Sequence, residues 1–100
     1  MQSLTPAMRV KLAELFRTQV EECVLGLSEA ILRGDADERR RAAHLLKGSS
    51  AAIGASRLRS LCERIEQSSR AGDPQFGEDQ LEQLRHIATE AVEAVGGALT

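Results

Sequence analysis

The chain reads as an all-α protein, an antiparallel up-down-up-down bundle of four helices, and three observations lead there. Apolar residues recur at helical spacing in four successive segments. Glycine, proline and capping residues fall between the segments, leaving connections of a few residues that make sequential helices antiparallel neighbours. Only two residues are aromatic, Phe16 and Phe76, so the core is built from Leu, Ile, Val, Ala and Met, and no stretch alternates with the period of a strand.

The elements follow in order. Thr5-Pro6 pairs an N-cap with a proline at the first helical position, and Met8, Leu12, Leu15, Phe16, Gln19, Cys23, Leu27 and Ile31 form the stripe of a helix expected over about residues 6–33. Gly34 stops it. Asp35-Ala36-Asp37-Glu38 supplies a D-x-x-E capping box for a second helix, about residues 36–53, which Gly54 closes as its C-cap residue. Ser56 caps a third, about residues 56–71, with Leu58, Leu61, Cys62 and Ile65 on one face and the turn signal Ala71-Gly72-Asp73-Pro74 after it. The fourth, about residues 76–98, is carried by Leu81, Leu84, Ile87, Ala88, Ala91, Val92 and Val95, with Leu99 ending the series.

A length of 100 residues with 42% hydrophobic and 28% charged side chains suits one globular domain, residues 1–100. A formal charge of -2 and a pI near 5.7 argue against a nucleic-acid binder, which needs a basic surface. The positive charge is local instead, in Arg39, Arg40, Arg41 and Lys47. No apolar run approaches the roughly 20 residues that cross a bilayer, and the first six residues lack a basic then apolar secretory start, so a cytoplasmic monomer without membrane contact is expected. Cys23 and Cys62 sit among apolar helix positions without C-x-x-C spacing and read as two reduced, buried thiols.

The second helix carries the chemistry. At 100° per residue, with His44 as zero, Ala42, Leu45, Leu46, Ser49 and Ile53 fall between about 100° and 200°, and Asp37, Arg40, Arg41, Lys47, Gly48 and Ala51 lie within about 60° of the histidine. His44 is therefore expected opposite the core stripe, on a basic and partly bare face. Lys47 is a same-face neighbour whose ammonium can reach a group attached to the imidazole. Gly48 leaves the space beside the ring empty, at a cost of roughly 0.5 to 1 kcal/mol relative to alanine inside a helix, and close approach of another molecule is one reason to carry that cost. Ser49 falls on the buried side, where it supports packing or a local backbone hydrogen bond.

The string His44-x-Leu46-Lys47-Gly48-Ser49-Ser50, followed by Gly54 and then by Leu58, Leu61, Cys62 and Glu66, resembles the signature of histidine-containing phosphotransfer (HPt) domains. The likeness extends over the four-helix pattern, including Gly34-Asp35 and Phe16. It implies that His44 is a phosphoacceptor in two-component signalling, taking a phosphoryl group from a receiver-domain aspartate or a partner kinase and passing it to a response-regulator aspartate. Lys47 would hold a phosphoryl oxygen and Gly48 would let the receiver approach. The chemistry suits the residues: an exposed imidazole keeps a lone pair as nucleophile, and phosphoryl transfer needs mainly positioning and charge compensation. The chain would bind no cofactor; the Mg2+ ion would sit on the receiver. Two readings of Glu66 stand side by side, one in which it orients the imidazole, as a glutamate at matching spacing does in the chemotaxis-kinase branch, and one in which it is solvated and pairs with arginines of its own helix. Arg40, Arg41 and Ala51 are candidates for contact with the receiver; Arg39 points elsewhere, and His86 has no motif around it.

Three other functions compete. A helical adaptor could bind receivers without phosphotransfer, but it has no need of both His44 and Lys47. The phosphoacceptor region of a sensor histidine kinase also displays a histidine on a bundle, yet such kinases follow it with an acidic residue where Leu45 stands here, and no Gly-rich nucleotide loop is present, so the expectation is a non-enzyme whose partners are receivers and a sensor or hybrid kinase. A metal site from His44, Cys62 and Cys23 fails because the histidine and the thiols face opposite ways.

Overall fold

Four helices make up the computed structural model, which describes residues 4–72 and 78–99. They are α1 (Pro6–Arg33), α2 (Ala36–Ile53), α3 (Ser56–Arg70) and α4 (Glu78–Leu99). The caps explain the boundaries. The Thr5 hydroxyl accepts from the Met8 amide at 3.1 Å, and the Asp35 carboxylate accepts from the Glu38 amide at 3.1 Å, each satisfying an N–H that the first helical turn leaves over. Gly34 and Gly54 end α1 and α2 in the left-handed region, with φ of 66° and 81°, where a side chain would be strained. Ser56 does not cap α3. It is the first helical residue, and Ala55 before it makes no side-chain cap bond. The expected start of the fourth helix at residues 76–77 and the Asp73-Pro74 turn lie outside the described residues.

Contacts along the pairs show that each helix runs opposite to the next. Arg39 near the start of α2 meets Ser69 near the end of α3, and Arg57 near the start of α3 meets Glu90 in the second half of α4. Arg85, early in α4, meets Ser28, late in α1, so α4 closes the ring against α1. At one end of the α1–α2 pair Leu12, Leu15 and Phe16 face Ser49, Ala52 and Ile53; at the other Glu29 and Arg33 face Glu38 and Arg41. The core between them centres on the fully buried Leu27, Leu46, Leu58, Ile65 and Leu84, each stabilising the fold by about 1.5–3 kcal/mol through burial.

Two stripes differ from the sequence expectation. Met8, Leu12 and Leu15 are exposed: α1 has 28 residues against 18 in α2, and the last turn of α2, at Ser49, Ala52 and Ile53, covers Leu12 and Leu15 only in part. At the 1.5 Å rise of an α-helix such a length spans about 42 Å, which matches the 44 Å long axis of the molecule. The buried face of α2 is also rotated. It comprises Arg39, Ala43, Leu46 and Ser50, while Leu45 is 58% exposed and Ser49 only half-buried. The cause is that α2 packs on α1 and α3 together, so its buried face is set by both neighbours. Ser50 can be buried because its hydroxyl donates to the Leu46 carbonyl at 2.7 Å. The local backbone bond expected of Ser49 thus belongs to the next residue.

Candidate functional site

The site follows from how α2 and α3 are pinned together. Arg39, expected to point away from the action, is buried, and its Nε donates to Ser69 Oγ at 2.7 Å, while that hydroxyl donates to the Ile65 carbonyl at 2.7 Å. With the helices antiparallel, this contact marks the register in which they pack. One further turn along the pair brings His44 opposite Glu66.

Glu66 closes the apolar stripe of α3 and is only 3% exposed. Its carboxylate is held from two sides. Oε2 lies 2.5 Å from His44 Nδ1, and Lys47 Nζ donates to Oε1 at 2.6 Å. The Lys47 hydrogen bond holds the Glu66 carboxyl below its ordinary range; burial pushes the other way, and the bond to His44 adds to the lowering. An ionised carboxylate can only accept, so the proton of this contact belongs to Nδ1. In the neutral ring the other nitrogen, Nε2, then carries the lone pair, on a side chain that is 63% exposed. Of the two readings of Glu66, the solvated one does not describe its surroundings: the residue is buried and contacts α2.

Lys47 is 25% exposed, at the edge between the buried and open faces of α2, with one of its three ammonium donors spent on Glu66. Gly48 lies on the open face, and a Cβ built on it meets nothing within 4 Å. The bundle itself does not require a glycine there. Ala51 and Arg41 are exposed and Arg40 half-buried on the same side, with Arg41 in a loose ion pair to Glu38 at 3.7 Å. Arg70 was not singled out by the sequence. One turn beyond Glu66 on α3, its Nη2 lies 4.0 Å from Glu66 Oε2, the oxygen that holds the imidazole. The available signal was its i,i+4 spacing from Glu66.

Elsewhere the chain offers less. His86 pairs with Glu90 on its own helix at 3.1 Å, exposed. Cys23 and Cys62 are free and buried, and burial pushes the Cys62 thiol up to about 12. Among the described residues no group of three or more His, Cys, Asp or Glu side chains is placed to hold a metal ion, and no helix is long and apolar enough to cross a membrane.

Chemically, the arrangement presents one nucleophilic nitrogen, fixed from behind by a buried anion, beside a lysine with ammonium donors to spare. No curated protein sequence matches the chain. The crystal structure of histidine-containing phosphotransfer protein B (HptB) from Pseudomonas aeruginosa PAO1 is similar, with a TM-score of 0.82 and 30% identity over 88% of this chain and 76% of that one. A family model described as the Hpt domain matches residues 11–94, and the chain therefore belongs to the Hpt domain family, whose members carry phosphoryl groups on histidine in two-component phosphorelays and are not kinases.

Proposed function

We propose that this chain is a phosphorelay intermediate in which His44 Nε2 receives a phosphoryl group from the aspartyl phosphate of a receiver domain and returns it to the aspartate of a response regulator. The single observation behind this reading is the pairing of His44 Nδ1 with the buried Glu66, which leaves Nε2 as the exposed nucleophile. In the forward step the Nε2 lone pair forms the N–P bond, the O–P bond breaks, and the aspartate leaves as carboxylate. The Nδ1 proton stays on the ring, so the phosphorylated imidazole is cationic and its hydrogen bond to Glu66 strengthens. That strengthening acts on the charge that develops during transfer. Lys47 turns a remaining donor toward a phosphoryl oxygen. The receiver brings the Mg2+ ion, so this chain needs only the ring and its cations.

The docking surface of this reading is the open face of α2. Gly48 and Ala51 keep it low, Arg40 and Arg41 match an acidic rim, and the exposed Leu45 adds apolar area. Incubation with a phosphorylated receiver and Mg2+ should move the phosphoryl group to this chain and leave the His44→Gln variant unlabelled. Labelling of that variant would remove His44 from the role, and receiver binding without any phosphohistidine would favour a plain adaptor.

A further inference from the structure

The geometry points to Arg70 as a second phosphoryl-binding cation of the site, a guanidinium held in reserve beside Glu66 that moves onto the phosphoryl group once His44 carries one. This inference rests on the reading of His44 as phosphoacceptor. Three observations carry it.

The first is the charge around His44. In the resting site Lys47 and Glu66 form a close pair at 2.6 Å, so the lysine's charge is largely offset by the carboxylate it holds. A phosphoryl group on Nε2 adds up to two negative charges, as phosphate esters do near neutral pH. Lys47 and Glu66 together contribute none net, and the protonated ring offsets one of the two. A further cation is needed for balance, and Arg70 comes nearest among the groups that contact Glu66 from outside the Lys47–His44 pair.

The second is how Arg70 is held. Its contact to Glu66 Oε2 is long, 4.0 Å, and its side chain is 62% exposed, so little is lost when the guanidinium leaves. Lys47, by contrast, is tightly bonded and three-quarters covered. The mobile cation of the pair is the arginine.

The third is direction. Side chains on a helix lean toward its N-terminus. Because α2 and α3 are antiparallel, the ring of His44 leans toward the level of Arg70, and Arg70 leans back toward the level of Glu66 and His44. The two converge. Both already touch the same oxygen, Glu66 Oε2, at 2.5 Å and 4.0 Å. An arginine side chain is long and flexible, and its planar fork offers two parallel donors to phosphoryl oxygens, which an ammonium cannot.

The test reads the phosphoryl group itself. The chain is phosphorylated on His44 with phosphoramidate, a small donor that needs no receiver, and the phosphoryl titration is followed by 31P NMR in wild type, Arg70→Ala and Arg70→Lys. A cation drawn onto the group favours its dianion, so Arg70→Ala should raise the phosphoryl pKa by roughly half to one unit, the range for an exposed opposite charge a few ångströms away, and Arg70→Lys should restore part of the shift. With a phosphorylated receiver at saturating concentration, transfer to Arg70→Ala should slow by about three- to tenfold with KM little changed. An identical phosphoryl pKa in wild type and Arg70→Ala would overturn the proposal. Failure of the wild type to accept from any receiver would instead count against the relay reading, and the 31P comparison would still stand.

Discussion

Removing the Glu66 carboxylate tests how much of the site's chemistry depends on orienting one ring. In Glu66→Ala, His44 Nδ1 and Lys47 Nζ both lose their partner, from contacts of 2.5 Å and 2.6 Å. A hydrogen bond to a charged group contributes about 1.5–3 kcal/mol net, and because His44 is 63% exposed, water competes and the lower end applies. About 1.5 kcal/mol corresponds to roughly a tenfold smaller population of rings held with the proton on Nδ1 and Nε2 outward. Phosphorylation of His44 should therefore slow about tenfold, measured as the pseudo-first-order rate with excess phosphoramidate and read by intact-protein mass. Glu66→Gln keeps one acceptor oxygen but turns donors toward the second partner, so its rate should fall between the two, roughly threefold below wild type. A rate for Glu66→Ala within about twofold of wild type, in a variant with unchanged helical signal, refutes the orienting role; the estimate being tested is the net hydrogen-bond value.

Three further outcomes follow. Since a Cβ at Gly48 meets nothing within 4 Å, Gly48→Ala should melt higher by about 3–6 °C, from the 0.5–1 kcal/mol that alanine gains in a helix, while transfer from a receiver slows; a lower melting point would mean that the helix itself needs the glycine. The folded Glu66 carboxyl titrates below its ordinary value of 4.5, chiefly because Lys47 bonds it, so its stabilising contribution is complete above that pH and is lost as pH falls through the folded value. Urea unfolding across the acid range should show a steeper loss in wild type than in Glu66→Gln, and equal slopes would contradict the shift. Burial raises the Cys62 thiol to about 12 and also raises Cys23, so neither should react with a thiol reagent at pH 8 until urea unfolds the chain; fast reaction of the native protein would place a thiol at the surface.

The sequence contained the bounds of α1 and α2 nearly to the residue because their signals are local: a cap at Thr5 and at Asp35, a left-handed glycine at Gly34 and at Gly54, and apolar spacing between them. It contained the display of His44 for the same reason, since an angle around one helix needs no neighbour. What it lacked were quantities that depend on two helices at once. The buried face of α2 is rotated toward Ala43 and Ser50, and Leu45 is left outside, because α1 and α3 share that helix. Whether Glu66 met water or His44 turned on the register of α3 against α2, which is set by the packing of both helices and includes the contact of Arg39 with Ser69, 30 residues apart in sequence. A buried arginine is rare enough that no periodicity argument would place it in the core. The exposed start of α1 has the same origin, as helix length alone does not say where a partner stops.

Several residues that break the rules of a bundle lie around His44. A carboxylate at the end of an apolar stripe costs several kcal/mol to bury, and a leucine at Glu66 would fill the position without that cost. A glycine in mid-helix weakens α2 where its neighbourhood is open enough for a Cβ. Lys47 gives up part of its hydration, and Leu45 keeps its apolar surface in water. Together they surround His44 within one turn of α2 and the facing turn of α3, and in the proposed relay each would serve a phosphorylated imidazole: Glu66 would fix the ring, Lys47 would supply charge, Gly48 would leave room, and Leu45 would offer a partner apolar surface. Local rules yield where function imposes a competing demand, so this concentration of exceptions is itself an argument for the site.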